Sequence, residues 1–315
     1  MSEQLFESMC VVALPLRNKF RGVTSREVAL FKGEFGWGEF SPFLEYSPEE
    51  SVTWLKSAIE SATTPPPVSL RKSIPVNATM PAIDSREDIA RILSRFQGCS
   101  TVKIKVGSDI SADIARIKAV KEIWPEAKIR IDVNGSWSVN QALSNISKIQ
   151  DLAGALQYVE QPVGSVEELR ELKTALNGEV LITGDEVLRK SKNPFTVDLS
   201  DAIDILMIKV SPLGGIQNAL KLVDHHKLPV VVSSALESAI GISSGLKLAA
   251  ALPELNFDCG LATGSLMSAN LGSHEIKDGE ILVKDIEPNF EGLTVSPERY
   301  KWWQDRVMAT WKLIA

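Results

Sequence analysis

The chain contains 315 residues, of which 44% are hydrophobic and 23% are charged. This composition is typical of a folded globular protein and excludes a disordered or collagen-like polymer. Lys and Arg together number 34 against 40 Asp and Glu, so the formal net charge is −6. Since no basic run suits a phosphate backbone, we expect no nucleic-acid partner.

The cysteines and the amino terminus indicate the cellular compartment. Cys10, Cys99 and Cys259 are an odd number at wide spacing, which fits neither a disulfide framework nor a zinc site. The first ten residues are acidic rather than basic, and no apolar run approaches the length of a membrane-spanning helix. We therefore expect a cytoplasmic protein with reduced thiols and no membrane partner. The sequence does not define an oligomeric state, which is left unknown.

The amino-terminal part predicts a small α+β domain. Residues 11–14 and 28–32 have β-like patterns, and Ser47 with Pro48 opens a helix that runs to about residue 59. Such a pattern is typical of a sheet with one covering helix.

Five of the 16 prolines lie in residues 63–81, which indicates a stiff, extended connection between two parts of the chain. We place a capping domain at residues 1–74, joined by the C-terminal segment 286–315, and a catalytic domain at residues 75–285. Within that segment, Trp302, Trp303 and Trp311 form an aromatic stripe on one helix face, which we expect to pack on the body of the protein.

Between residues 75 and 262, short β-rich runs alternate with segments of helical period. The strand candidates are residues 75–79, 101–106, 128–133, 156–160, 180–184, 204–209, 229–234 and 257–261. The helix candidates are residues 85–96, 109–123, 139–149, 166–176, 215–226 and 239–252. This alternation predicts an α/β fold with a parallel sheet. Eight strands favour a (β/α)8-type barrel over an open sheet, whose glycine-rich fingerprint is absent after the first strand.

Two lysines share one face of the second barrel strand. In TVKIKV, Lys103 and Lys105 alternate with apolar residues that should face the surrounding helices, so both lysines point into the barrel. Two inward cations are costly unless acids neutralise them or a function uses them. A further lysine, Lys209, closes the sixth strand.

Three acids end the third, fourth and fifth strands. Asp132 and Glu160 follow strict alternation, and Asp185 rather than Glu186 has the inward parity. Because the carboxyl ends of parallel strands meet at one rim, these carboxylates converge and would repel without a cation between them. Oxygen ligands with few nearby His or Cys favour Mg²⁺, with Mn²⁺ as the alternative, over zinc. Salt bridges alone are the competing interpretation of the same residues.

These charges predict a proton-abstraction reaction on a small-molecule carboxylate. A divalent metal beside that carboxylate stabilises the enediolate left when the α-proton is removed. A lysine serves as the base only when a neighbouring cation has lowered its pKa. We therefore take Lys105 as the base, Lys103 as the group that tunes it, and Lys209 as a second acid or base or a fixed cation.

The order KIK, IDVNGSW, VEQP, TGDE and LMIK resembles the enolase superfamily, in particular its muconate lactonizing enzyme subgroup with lysines on both faces. The resemblance spans the whole chain and implies a modified, enolase-like barrel with an α+β cap. It also implies that Asp132, Glu160 and Asp185 bind magnesium and that Lys105 is the base.

Three further stretches, GWGEFSPFLEY (36–46), VVVSSALESAIG (230–241) and GLATGSLM (260–267), resemble the o-succinylbenzoate synthase family. This resemblance implies a magnesium-dependent syn elimination of water from 2-succinyl-6-hydroxy-2,4-cyclohexadiene-1-carboxylate in menaquinone synthesis. It further implies that Lys209 stabilises the enediolate and that Ser233 and Gly260 line the substrate pocket. Arg130 matches an arginine often found two residues before the first metal ligand, and we predict that it binds substrate.

Several alternatives stay open. N-acylamino acid racemases share both lysines and are the main alternative, and a catalytically silent ligand-binding barrel is a remote one. The mandelate racemase branch needs a histidine after the seventh strand, where this chain has none, and the Asp-x-Asp pair of dipeptide epimerases is broken at Asp258. In the capping domain, we expect Arg21 to meet the succinyl carboxylate, a surface arginine being the competing interpretation.

Overall fold

The computed structural model describes residues 2–20 and 22–315. The amino-terminal region forms an antiparallel sheet of three strands in the order β1-β2-β3, together with two helices. These elements are α1 (Ser2–Glu7), β1 (Cys10–Phe20), β2 (Val23–Gly33), β3 (Gly36–Phe40) and α2 (Pro48–Thr63). The predicted β runs and helix are confirmed, although α2 continues four residues further than expected. Its start follows from a capping box in which Ser47 and Glu50 each bind the other's backbone amide.

The next region alternates parallel strands with helices, as predicted. Seven strands form one curled sheet in chain order: β5 (Ala78–Met80), β6 (Thr101–Lys105), β7 (Lys128–Asp132), β8 (Leu156–Glu160), β9 (Ile182–Gly184), β10 (Ile205–Ile208) and β11 (Val230–Val232). The covering helices are α3 (Arg86–Leu93), α4 (Ile110–Ile123), α5 (Val139–Ala153), α6 (Val166–Leu176), α7 (Glu186–Arg189), α8 (Ile216–His226) and α9 (Ala239–Ala251).

The segment predicted as the eighth strand is reduced to two isolated bridges. Cys259 pairs in parallel with Val76 at one edge of the sheet, and Gly260 pairs with Ser233 at the other. The Gly260 amide donates to the Val232 carbonyl at 2.9 Å. The prediction of a full strand is therefore wrong, but these two residues still link the sheet's edges and close the modified barrel.

Alternation along the strands divides the barrel into an outer and an inner apolar cluster. Leu206 and Ile208 belong to the large cluster between sheet and helices, whereas Ile205 and Met207 pack inside the barrel. This division follows from the two-residue period of a strand. The inner cluster is small, so the rest of the interior is left to the polar and charged side chains of the site.

A second antiparallel sheet, which the sequence did not predict, joins distant parts of the chain. Its strands are β4 (Ser73–Pro75), β12 (Ile276–Lys277) and β13 (Glu280–Leu282), in the order β12-β13-β4. In this pairing Ile74 faces Ile281, and both side chains are buried. No helix in the described ranges, 2–20 and 22–315, is long and apolar enough to cross a membrane.

The last helix, α10 (Pro297–Trp311), contacts α2 and β1 of the amino-terminal region. Trp303 is fully buried, its ring meets Phe40 edge to face at 5.9 Å between centroids, and its Nε1 donates to Glu27 at 2.7 Å. The packing predicted for the aromatic stripe is confirmed for Trp303, whereas Trp302 is 39% exposed.

Replacing Trp303 with alanine is expected to lower the free energy of unfolding by about 3–5 kcal/mol, because it leaves a large cavity between α10 and the cap. The matched control is Trp302→Ala, which removes an exposed ring and should cost about 1 kcal/mol or less. Urea unfolding followed by circular dichroism measures both. Equal losses in the two variants would contradict the packing described here.

Candidate active site

The charged residues singled out in the sequence meet at the carboxyl ends of five consecutive strands. Lys103 and Lys105 lie on β6 and Asp132 ends β7, while Glu160, Asp185 and Lys209 end or follow β8, β9 and β10. All of them are buried except Lys105, which is partly exposed. The fold thus brings together, in one place, all six residues predicted as catalytic or metal-binding.

Each acid is paired with a cation. Lys105 Nζ contacts Asp132 Oδ2, Lys103 Nζ lies 2.9 Å from Glu160 Oε2, and Lys209 Nζ lies 2.6 Å from Asp185 Oδ2. Lys103 also reaches Asp132 Oδ2 at 3.7 Å. The two lysines of β6 therefore share one carboxylate oxygen, which holds their positive charges close together.

The pKa values of these groups reflect a competition between burial and charge. Burial opposes ionisation of Asp132 and Asp185, but the nearby lysines outweigh it and hold both pKa values below the usual range. For Glu160, burial and the charge of Asp132 raise the pKa to about 7. Burial also works against the charged form of Lys103, yet Glu160 and Asp132 raise its pKa above the ordinary value. Lys103 is thus a permanent cation in this arrangement.

Two neighbouring residues were missed in the sequence. Arg189, at the end of α7, donates from Nε to both oxygens of Asp185 at 3.1 Å and contacts Glu186 through Nη2 at 2.5 Å. Asn134 accepts from Lys105 Nζ at 2.9 Å and donates to Glu186 at 3.1 Å. The spacing of Arg189 four residues after Asp185, one helical turn, was the available signal.

The oxygen atoms of the acids fit a divalent cation. Asp132 Oδ1 and Glu160 Oε1 are buried and have no hydrogen-bond partner among the described residues, which is costly for a carboxylate unless a ligand completes it. Hard oxygen donors of this kind suit Mg²⁺. As arranged, no group of three His, Cys, Asp or Glu side chains within the described ranges is close enough to hold a metal, and Asp185 is paired with both Lys209 and Arg189. Metal binding by all three acids would therefore require these side chains to rearrange, with Asp185 exchanging its two ion pairs.

A cavity adjoins these charges. Ser233 and Gly260 line it, together with Lys105, Asp132 and Lys209. Gly260 allows a close approach, since a Cβ at this position would lie 2.4 Å from Ser233 Oγ and 3.1 Å from Ser233 Cβ, and Ser233 would have to shift.

Two other residues predicted to bind substrate are placed differently. Arg130 does not line the cavity, because it is fully buried one layer deeper. It donates to Gln157 at 2.6 Å and to Asn77 at 3.0 Å. Its guanidinium lies 4.7 Å from the centre of the Tyr158 ring. Arg130 lies two residues before Asp132 on β7. Because a strand rises about 3.3 Å per residue, the Arg130 side chain lies one layer deeper in the barrel than that of Asp132. Arg21 lies outside the described residues.

The amino-terminal domain contributes an aromatic wall that the sequence did not predict. Phe20, Phe43 and Trp54 line the cavity together with the barrel residues. The ring centre of Phe20 lies 5.9 Å from Lys105 Nζ. Aromatic rings and cations that line one cavity suit an anionic, ring-shaped ligand.

Glu39, on β3 of the cap, fastens the cap to the barrel. Its carboxylate accepts from the Ser238 amide at 3.2 Å and from the Gly241 amide at 2.9 Å, so it caps the amino terminus of α9. From β2, Arg26 Nε donates to the Leu236 carbonyl at 3.2 Å. The segment between Ser233 and α9, which lines the cavity, is thereby held by the cap.

A second buried glutamate in this segment gives a testable pH dependence. Burial, and then the charge of Glu39, raise the pKa of Glu237 to about 7, while Arg26 and the Ala235 amide oppose the rise. The folded state therefore binds this proton more tightly than the unfolded state. Its contribution to stability is greatest below about pH 4.5 and falls, by on the order of 3 kcal/mol, as the pH rises to about 7.

We expect Glu237→Gln to remove this part of the pH dependence when unfolding free energies are measured in urea from pH 5 to pH 8. The control, Glu254→Gln, alters an exposed side chain and should follow the wild type at every pH. A Glu237→Gln curve parallel to the wild-type curve would refute the assignment.

Two protein-family models match the two parts of the chain. Residues 86–300 match the model described as "Enolase C-terminal domain-like", and residues 11–62 match "Enolase N-terminal domain-like".

Solved structures show the same fold. The L-Ala-D/L-Glu epimerase from Bacillus subtilis superposes with a TM-score of 0.74 at 22% identity, covering 91% of this chain and 98% of that chain. Muconate lactonizing enzyme from Pseudomonas fluorescens gives a TM-score of 0.72 at 20% identity, covering 94% of this chain and 97% of that chain. At such low sequence identity, these similarities support a conclusion about the fold alone. They confirm the modified barrel with its amino-terminal cap.

Curated relatives are more similar in sequence. An o-succinylbenzoate synthase from Mycobacterium tuberculosis (strain ATCC 25618 / H37Rv) is 43% identical over 319 residues, 99% of this chain and 96% of the relative. Another, from Mycobacterium ulcerans (strain Agy99), is 42% identical over 317 residues, 98% of this chain and 95% of the relative. The fold, the domain matches and this near full-length similarity together show that the chain belongs to the o-succinylbenzoate synthase family of the enolase superfamily.

Proposed function

We propose that the chain is a hydro-lyase that dehydrates 2-succinyl-6-hydroxy-2,4-cyclohexadiene-1-carboxylate to 2-succinylbenzoate, the o-succinylbenzoate synthase step of menaquinone synthesis. The observation that carries the proposal is the placement of Lys105 and Lys209 on β6 and β10, with the three acid-bearing strands between them and both side chains lining one cavity. The aromatic wall of Phe20, Phe43 and Trp54 suits the substrate's ring.

Lys105 performs the proton transfers. As the neutral amine, it removes the proton from C1, the ring carbon that carries the carboxylate, and the electron pair enters the carboxylate as an enediolate. The resulting ammonium then donates this proton to the hydroxyl on C6 of the same face, the C–O bond breaks and water leaves. The ring becomes aromatic and Lys105 is neutral again, so protons and electrons balance.

The other charged groups stabilise the negative charge that develops. Lys209, held by Asp185, supplies a fixed cation to the enediolate, and Lys103 keeps a positive charge beside Lys105. Asp132, Glu160 and Asp185 would hold Mg²⁺, which when bound supplies further positive charge to the carboxylate oxygens. Mn²⁺ would fit the same oxygen donors.

The pocket assignment and the domain boundaries belong to the same proposal. Ser233 and Gly260 contact the substrate, while Arg130 supports the barrel floor beneath it.

The capping domain comprises residues 1–74 with the C-terminal segment 286–315, which is supported by the packing of α10 on α2. A cytoplasmic location accords with three cysteines that are free thiols.

The test is turnover of the cyclohexadiene carboxylate in the presence of Mg²⁺, followed by ultraviolet absorbance. We expect substrate loss with the wild type, and none with Lys105→Ala or after chelation of the metal. If folded, metal-loaded wild type fails to turn the substrate over, the substrate assignment is wrong.

One alternative activity is favoured by a specific observation. Racemisation of an N-acylamino acid needs two bases on opposite faces of one carbon, and Lys105 and Lys209 are arranged in this way across the acids. Racemase turnover in a panel of N-acylamino acids, with no dehydration, would establish this alternative. Binding without either reaction would establish a silent barrel.

A further inference from the structure

A second cavity lies outside the catalytic one. It has a volume of about 330 Å³ and lies between β1 of the cap, the end of α3 and the segment that follows the closing residues of the barrel. The two cavities adjoin at one turn, because Thr263 lines the catalytic cavity whereas Ala262 and Gly264 line the second. This cavity plays no part in the proposed dehydration.

Two arginines from different domains line the cavity, Arg17 from β1 and Arg95 from just beyond α3. Within residues 2–20 and 22–315, neither arginine forms an ion pair with a carboxylate. Glu275 also lines the cavity, but it is exposed and pairs with neither. Two guanidinium groups thus share one cavity, and neither is paired with the carboxylate that lines it.

Of the two arginines, Arg95 has the guanidinium group with the poorer hydrogen bonding. Its Nη1 is buried and has no hydrogen-bond partner in the part of the chain that the structure describes. Burial, followed by the positive charges of Arg17 and Arg91, lowers the pKa of Arg95. A guanidinium with an unpaired, buried nitrogen is stabilised most effectively by an anion that accepts from it.

One further side chain in the cavity, Asn270, also favours an acceptor. The Oδ1 of Asn270 accepts from the Ala239 amide at 3.0 Å and from the Leu271 amide at 2.8 Å, which fixes the side chain with Nδ2 left as a donor. His274 Nε2 donates to the Ala239 carbonyl at 2.9 Å, so Nδ1 of the neutral ring is an acceptor and adds no donor to the cavity. Asn270 Nδ2 is therefore the donor that adds to the two guanidinium groups.

We propose that this second cavity binds a small dianion of the phosphate or dicarboxylate class, held between Arg17 and Arg95 with Asn270 Nδ2 as a further donor. Two positive charges balance a dianion, and planar guanidinium forks suit its paired oxygens. The proposal does not depend on the reaction at the catalytic site.

The test is calorimetric titration of the full chain with inorganic phosphate and, separately, with succinate, at constant ionic strength. We expect saturable binding of at least one of the two anions, which identifies the class. Its Kd should rise at least about tenfold in the double variant Arg17→Met/Arg95→Met. Arg91→Met, which removes an exposed arginine on α3 that pairs with Asp88, is the matched control and should stay within about twofold of wild type.

Two further variants keep the result decisive. Arg17→Met alone removes an exposed side chain, so a smaller but clear weakening is expected even if the double variant unfolds. Lys209→Met removes a cation from the catalytic cavity and should leave the binding unchanged. The absence of saturable binding, or binding lost in Lys209→Met and retained in the arginine variants, would overturn the proposal.

Discussion

Replacing Lys105 with arginine is expected to lower kcat by about 10³- to 10⁴-fold, although the positive charge is kept. A guanidinium stays protonated at any working pH and cannot accept the C1 proton. The charge beside Asp132 is preserved, so the fold and the ion pair should survive. The measurement is kcat and KM for the cyclohexadiene carboxylate, with circular dichroism to show an unchanged fold.

Lys118→Arg is the matched control, because Lys118 is exposed on α4, the helix that follows the same strand. It should retain wild-type kinetics. Lys209→Arg supplies the contrast, since a fixed cation can be replaced by another cation: a loss of only about tenfold is expected there. Substantial activity in Lys105→Arg, or equal losses at the two lysines, would show that Lys105 is not the base.

Replacing Glu160 with glutamine is the second change with a large expected effect. We expect Mg²⁺ or Mn²⁺ affinity to fall at least about 100-fold, since a charged oxygen ligand is lost. The change takes the nearest acid from buried Lys103, which keeps Asp132 at 3.7 Å, but it also removes a buried carboxylate whose pKa is raised to about 7. Because these effects oppose each other, the stability of the metal-free protein should change by no more than about 1–2 kcal/mol. Calorimetric titration with Mn²⁺ and urea unfolding measure these two effects independently of activity.

Glu167→Gln serves as the control for this change, because it alters an exposed glutamate in the first turn of α6, the helix that follows the same strand. Neither its metal affinity nor its stability should change appreciably. Unchanged Mn²⁺ affinity in Glu160→Gln would remove Glu160 from the proposed ligands.

Most of the barrel could be predicted because its strands and helices have clear periods and caps. The helix expected at residues 166–176 is α6 with the same bounds, since Ser165 forms a capping box and Asn177 takes the left-handed conformation that ends it. The prediction of a full eighth strand was wrong for a physical reason. In the segment 257–261, only Cys259 and Gly260 pair with neighbouring strands. The β-forming residues of the segment do not indicate how many of them will find a partner strand.

Within the site, alternation correctly placed inward groups but could not show their depth. Arg130 and Asp132 share one face of β7, yet only Asp132 reaches the cavity, because each step of two residues moves one layer along the barrel. Arg189 and the aromatic wall of Phe20, Phe43 and Trp54 depend on how a short helix and a separate domain pack. No local pattern contains that information.

The hydrogen bonds of Glu39 determine how ligands enter and leave. Because this cap residue completes the first turn of α9, swinging the cap away as a rigid body would expose a buried carboxylate and free amides of a barrel helix at the same time. Opening by a hinge between domains is therefore disfavoured. Exchange of substrate and product should instead proceed through small displacements of individual loops, with the two domains unfolding together as one cooperative unit.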